Sequence, residues 1–314
     1  MYDKLEFLLA VARERHFGRA AEVCGVTQPT LSSGIRQLEE SLGVLLVHRH
    51  SRFHGLTPEG ERVVEWARRI VGDTRAMRQE LEALKHGLVG HLRIAAIPTA
   101  LAMVSALTTP FRARHPNVRF SVLSRTSIQV LTLLENFEID AGLSYLDNEP
   151  LGQVKTVPLY REHYRLLTAS DSPLGDREQV TWAEVGKIPL CLLTPNMQNR
   201  RIIDQLLRSA GVEPAPTLES DSMLVLFAHV RTGRWASVMP EQLALTLGLI
   251  DTMRAIRIVE PEAMHVIGLI VPDREPMTPL TVALVTEAHR LAPQLHASIL
   301  ERSYCSIAAS ESPS

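Results

Sequence analysis

The stretch Glu22–Val44, EVCGVTQPTLSSGIRQLEESLGV, decides how the N-terminal part of the chain folds. One helical pattern stops at Gly25 and another starts at Thr27. In the second, Leu31, Ile35, Leu38 and Leu42 step by four, three and four, which places them on one stripe of an α-helix. The Thr27 hydroxyl is placed to cap the start by accepting an N–H of the first turn. Pro29 falls in that first turn, where a missing N–H costs nothing, and Gly43 ends the helix. The opposite face carries Gln28, Pro29, Ser32, Ser33 and Arg36 with no acid among them. These groups suit a base edge or a phosphate.

Upstream, Leu5, Leu8, Leu9 and Ala12 predict a first amphipathic helix, and Phe17, Ala20, Ala21 and Val23 a short second one. A short helix, a tight glycine turn and a helix with a polar outer face form the helix-turn-helix pattern. In it the last helix enters the major groove tip first, which explains the break before Thr27. Gln28 then leads, with an amide suited to adenine N6/N7, and the Pro29 ring suits a thymine methyl. Downstream, Ser41–Pro58 contains no acid but has His48, Arg49, His50, Arg52 and His54, a local basic patch suited to phosphates. Its length fits a wing beside the backbone or minor groove.

Thr57 caps and Pro58 opens a further helix, with Glu59 and Glu61 in its first turn. Val63, Ala67, Ile70, Thr74, Met77, Leu81, Leu84 and Leu88 alternate four and three, a heptad seam between polar faces. A helix of about thirty residues is roughly 45 Å long. The pattern predicts a dimerising coiled coil, ended by Gly87 and Gly90.

Residues 1–90 resemble the N-terminal module of LysR-type transcriptional regulators. The matching pieces are FGRAAEVCGVTQPTLSSGIRQLEESLGV, LLVHRHSRFHGLTPEGE and the long helix that follows. Length and order extend the resemblance over nearly the whole chain. It implies a winged helix-turn-helix bound to double-stranded DNA, a homodimer through the linker helix and usually a homotetramer. It also implies Thr27, Gln28, Pro29, Ser32 and Arg36 as DNA contacts, and Arg49, Arg52 and Thr57 as wing and backbone contacts. One departure is Ser33, where the family often carries a basic residue.

From residue 91 apolar strands alternate with helices, which predicts an α/β architecture with mainly parallel sheets. The strands expected are 92–97, 118–124, 139–146, 190–194, 235–240 and 265–272, with a closing helix over 278–300 and a disordered tail at 304–314. The resemblance implies two subdomains, like a periplasmic solute-binding protein. Subdomain I takes about 91–161 and 267–303, subdomain II about 162–266, with crossings near Tyr160–His163 and Met264–Gly268. The divisions before it are 1–58 for the reading head and 59–90 for the linker. Ligands of such folds sit at strand C-terminal ends and helix N-termini. Those places hold Thr99 and Ala100, Thr126 and Ser127, Ser144 and Tyr145, and the segment TPNMQNRR with Gln198 and Asn199. Hydroxyls, helix N–H groups and an arginine there suit a small anion. Trp235 stands where relatives tend to have a glycine.

The chain of 314 residues is 45% hydrophobic and 22% charged, as in ordinary soluble proteins, and its length suggests about two domains. The net charge of −2 excludes a globally basic binder. No apolar run reaches membrane-spanning length, and MYDKLEF is not a signal sequence, so a cytoplasmic location without membrane contact is expected. Three scattered cysteines, Cys24, Cys191 and Cys305, argue against a disulfide framework or a metal site. No GxSxG, HExxH, P-loop or CxxC occurs, so no catalytic residue and no cofactor is expected. The expected function is regulation of transcription by a small effector. A solute receptor without a DNA role is the alternative that the C-terminal fold alone would allow. HVRTGRWASVMPEQL and REPMTPLTVALV resemble a subgroup of the family associated with formate dehydrogenase operons.

Overall fold

The computed structural model describes residues 1–49, 53–248 and 252–308, with side chains described throughout these except at 49, 53 and 296–308. The chain divides into two compact units. One comprises Met1–Gly87 with Pro276–Pro279, and the other the remainder.

The first unit is built from α1 (Tyr2–Glu14), α2 (Phe17–Val23), α3 (Gln28–Leu42), the hairpin β1 (Val47–Arg49) and β2 (Phe53–Leu56), and α4 (Pro58–His86). Its core collects Leu8, Val11, Leu31, Ile35, Leu38 and Leu46, all fully buried. Each such side chain contributes about 1.5–3 kcal/mol. Two stripes differ from expectation. In α1, Ala10 and Val11 are buried, while Leu9 and Ala12 only pack against the core. In α3, Leu42 is exposed and Glu39 takes the buried position. The reason is backbone satisfaction: Glu39 Oε1 accepts the N–H groups of Leu46 at 2.9 Å and Val47 at 3.3 Å, tying the recognition helix to the base of the wing.

The 29-residue α4 begins on a Thr57 cap and ends at Gly87, whose φ of 71° and ψ of −167° leave helical space. Leu88 therefore lies outside the helix and cannot complete the predicted seam. Ala67 is likewise part of the core of the first unit, together with Val64 and Val71. Ile70, Met77, Leu81 and Leu84 are exposed, and so is Trp66, which the heptad pattern did not include.

The second unit opens with β3 (Gly90–Ala96), so the strand begins within the predicted linker. A 3-10 turn (Pro98–Ala100) and α5 (Leu101–Arg114) follow, then β4 (Val118–Ser124), α6 (Ser127–Glu135) and β5 (Ala141–Tyr145). The long β6 (Val154–Ala169) leads to β7 (Gln179–Thr181), α7 (Trp182–Val185), β8 (Cys191–Leu193), α8 (Gln198–Ser209) and β9 (Leu218–Ser220). Then come α9 (Met223–Val230), β10 (Ser237–Pro240), α10 (Glu241–Leu247), β11 (Met253–Val259), β12 (Met264–Pro272) and α11 (Pro279–Ala308). The closing helix thus covers 304–308, which were expected to be tail, and 309–314 lie outside the described residues.

The main sheet runs β4-β3-β5-β12-β6-β11-β7, with β10 also on β6. It is mixed, not mainly parallel. β3 is parallel to β4 and β5, but β12 is antiparallel to both β5 and β6, and β11 is antiparallel to β6. The cause is the two crossings. β6 pairs with β12 from Val154 to His163, then with β10 and β11 from Tyr164 to Ala169. The two expected crossing segments lie side by side, with Tyr160 opposite Ile267 and His163 opposite Met264.

Candidate DNA interface and effector cleft

In the first unit, Thr27 accepts the Thr30 N–H at 3.4 Å and shares a 2.9 Å hydrogen bond with the Thr30 hydroxyl, fixing the first turn of α3. Thr27, Gln28, Pro29, Ser33 and Arg36 are exposed, and Ser32 is half-buried. The structure brings these six onto one end and one outer face of α3, with no acid between them. Thr30 is also exposed there and was missed, because its hydroxyl reads as an internal helix residue. The Arg49 backbone lies in β1, and Arg52 lies outside the described residues.

Thr57 is corrected. Its side chain is buried, its hydroxyl donates to the Leu45 carbonyl at 2.6 Å, and it accepts the Gly60 N–H at 2.9 Å. The hydroxyl's donor and one acceptor site are used inside the fold, as a helix cap requires. Thr57→Ala is expected to lower stability by about 1 kcal/mol. The slope of DNA affinity against salt should not change, because no phosphate contact is lost. Thermal melts and salt titrations check both.

In the second unit the residues expected to bind an effector lie after β3 and at the N-termini of α6 and α8. Thr99, Ala100, Thr126, Ser127, Gln198 and Asn199 are all buried. Thr126 is engaged in a reciprocal capping box with Gln129, which leaves its hydroxyl as a cap. Gln198 donates to the Asp147 carbonyl at 3.4 Å, and Asn199 donates to the Tyr145 hydroxyl at 3.2 Å. These two bonds join subdomain II to the end of β5. The Thr99 and Ser144 hydroxyls are buried with no hydrogen-bond partner among the described residues.

The arginines of α8 do not stand ready for an anion. Arg201 holds Glu149 through two bonds, at 2.7 and 2.8 Å, and reaches Ser127 at 3.5 Å. Arg200 holds Asp204 and Glu219. Behind the Tyr145–Asn199 contact the buried side chains are acidic and aromatic. Tyr145, Tyr160, Glu162, Tyr164 and His265 share one face of β5, β6 and β12 by register. Tyr145 donates to Glu162, and Tyr164 donates to the Tyr145 oxygen at 3.4 Å. His265 pairs with Asp147 at 3.1 Å and stands edge-on to both Tyr145 and Tyr164. Burial pushes the Glu162 carboxyl up to about 8, a rise the Tyr145 hydrogen bond opposes and Asp147 adds to. Glu162 was missed, although the alternation Tyr160-x-Glu162-x-Tyr164 in an apolar strand was a visible signal. Trp235 packs against the core of subdomain II, edge-on to His229 at 5.4 Å.

Comparison with known proteins agrees with this organisation. A model of a bacterial regulatory helix-turn-helix protein of the lysR family matches residues 2–61, and a model of the LysR substrate binding domain matches 85–293. The dual regulator OxyR of Escherichia coli K12 is 28% identical over 274 residues, covering 87% of this chain and 90% of that protein. A probable nitrogen assimilation transcriptional activator of Synechococcus elongatus is 28% identical over 279 residues, covering 87% and 89%. A full-length OxyR variant from Pseudomonas aeruginosa superposes with a TM-score of 0.73 at 25% identity, over 93% of this chain and 95% of that one. CbnR bound to its target DNA shares the fold, with a TM-score of 0.62 at 22% identity over 93% and 100%.

Proposed function

The chain belongs to the LysR family of DNA-binding transcription regulators with an effector-binding domain, and from that premise we propose how it reads DNA and what controls it. Gln28 and Pro29 lead α3 into the major groove, and Ser32, Ser33 and Arg36 follow along base edges and phosphates. Arg49 and Arg52 contribute phosphate contacts from the wing. The observation that carries this reading is the exposed group Gln28, Pro29, Ser33 and Arg36 with no acid among them, on a helix whose other side buries Leu31, Ile35 and Leu38.

The exposed apolar row Trp66, Ile70, Met77, Leu81 and Leu84 supports assembly through α4 into a dimer, and of dimers into a tetramer. A small effector binds between the subdomains, beside Thr99 and Asn199, where the buried Thr99 hydroxyl has no partner among the described residues. The paired arginines and the buried Glu162 weigh against the small anion expected from helix N-termini alone. The relatives differ in what they regulate, so the target genes are assigned from neighbouring genes and not from likeness.

Peroxide sensing, which the name of several relatives carries, is not favoured. Burial pushes the Cys191 thiol up to about 11, and it donates to the Leu226 and Ala236 carbonyls. Burial also raises Cys24, so neither of the two thiols among the described side chains is set to ionise. A gel shift with the DNA upstream of the chain's own gene tests the regulator reading. A complex that survives excess unrelated DNA is expected, and equal competition by unrelated DNA would refute it.

A further inference from the structure

We propose that the effector carries a positive charge, an alkylammonium or guanidinium group, which pairs with Glu162 inside a box of Tyr145, Tyr160 and Tyr164; this deepens, and rests on, the reading of the cleft as the effector site. Three observations converge. Glu162 is only 1% exposed, and its Oε2 has no hydrogen-bond partner among the described residues. A buried carboxyl whose second oxygen has no partner is costly to ionise, and a ligand cation supplies what is missing.

The three tyrosines share the sheet face of Glu162, and phenol rings beside a carboxylate suit a cation. The Tyr160 hydroxyl is a further buried group without a partner. The Tyr145 oxygen accepts from Asn199 of subdomain II. Glu162 is thus one hydrogen bond away from the contact that closes the two subdomains, and a ligand there competes with or reinforces that closure.

The basic side chains of the neighbourhood are engaged elsewhere: Arg201 with Glu149, Arg200 with Asp204 and Glu219, His265 with Asp147. The groups facing Glu162 are Tyr160 and Tyr164 on its own strand, Tyr145 and Asp147 from the β5 end, His265 on β12 and Asn199 on α8. Burial raises all three phenols, so none competes as an anion near neutral pH. With its pKa raised to about 8 by burial, the carboxyl is mostly protonated at neutral pH. On binding, its proton passes to solvent and the carboxylate pairs with the ligand cation, so affinity rises as pH approaches 8.

The test uses the purified full-length protein at pH 7 in thermal-shift and calorimetric titrations. The probes are cadaverine, agmatine, L-lysine and L-arginine against acetate, succinate and benzoate. At least one amine is expected to raise Tm by about 5 °C at a hundredfold excess over its Kd, with no comparable rise from the carboxylates. Glu162→Gln, which keeps shape and hydrogen bonding, should weaken that amine at least about tenfold, and Tyr160→Leu about fivefold. Failure of all four amines, an equal response to a carboxylate, or an unchanged affinity in both variants would overturn the proposal. The parallel DNA gel shift separates the two claims. Specific DNA binding that responds to a carboxylate sinks the charge assignment alone, and amine binding without specific DNA binding sinks the regulator reading alone.

Discussion

Leu81→Asp is expected to leave each chain folded while lowering the assembly state and abolishing binding to a two-half-site operator. Leu81 is 50% exposed and lies outside the hydrophobic clusters of its unit, so an aspartate costs the isolated helix only about half a kcal/mol of propensity. Between two copies of α4 the same charge would lose its water without gaining a partner, at several kcal/mol. Met77 and Leu84 are similarly exposed, so among the described residues the row is not buried within the chain. A monomer grips one half-site where the dimer grips two, and affinity for the full site should fall about a hundredfold or more. Sedimentation velocity and gel shift read the two effects. An unchanged sedimentation coefficient would move the interface away from α4.

Gly60→Ala should unfold the DNA-reading unit. A Cβ at residue 60 would overlap the Leu46 carbonyl oxygen and press on the Leu46 Cα. Neither is the movable end of a side chain. Leu46 is fully buried and its N–H is held by Glu39, while the Gly60 N–H is held by the Thr57 cap. The helix and the wing base must therefore separate, at about 3 kcal/mol, which is a large share of the stability of so small a unit. Thermal unfolding should show an early transition for the head, with the unit from Leu88 onward melting as in the unaltered chain. A single unshifted melt would mean that the wing base gives way more easily than its hydrogen bonds suggest.

The legible parts of the fold were those in which local chemistry and tertiary packing agree. Thr27, Pro29 and Gly43 bound α3 as a cap, a first-turn proline and a left-handed terminus should, and the structure starts and ends the helix there. The crossing segments were legible because both are apolar strands interrupted by charge, and they pair in register. Glu39 was not legible, since a lone acid on a helix reads as solvent-facing until the two wing amides it satisfies are known. The antiparallel centre of the sheet was missed for a related reason. Apolar runs do not reveal chain direction, and direction here is set by the return of β12 beside β6. β11 was overlooked because MRAIRIV carries its arginines three residues apart, which breaks the period-two signal of a strand. At the cleft, the positions of Thr99, Ser127 and Asn199 followed from strand ends and helix starts. Their charge environment did not, because Arg201 reads as free until Glu149, far away in sequence, is seen to hold it.

The central claim is that α3 reads bases with Gln28 at its tip. Its most direct test is gel-shift titration of Gln28→Ala against the protein's own upstream site and against single-base variants of that site. Affinity for the native site is expected to fall by about 1–3 kcal/mol. The preference should vanish at one base pair per half-site and persist elsewhere. An equal loss on every sequence would make Gln28 a backbone contact, and no loss on any sequence would contradict the placement of α3 in the groove.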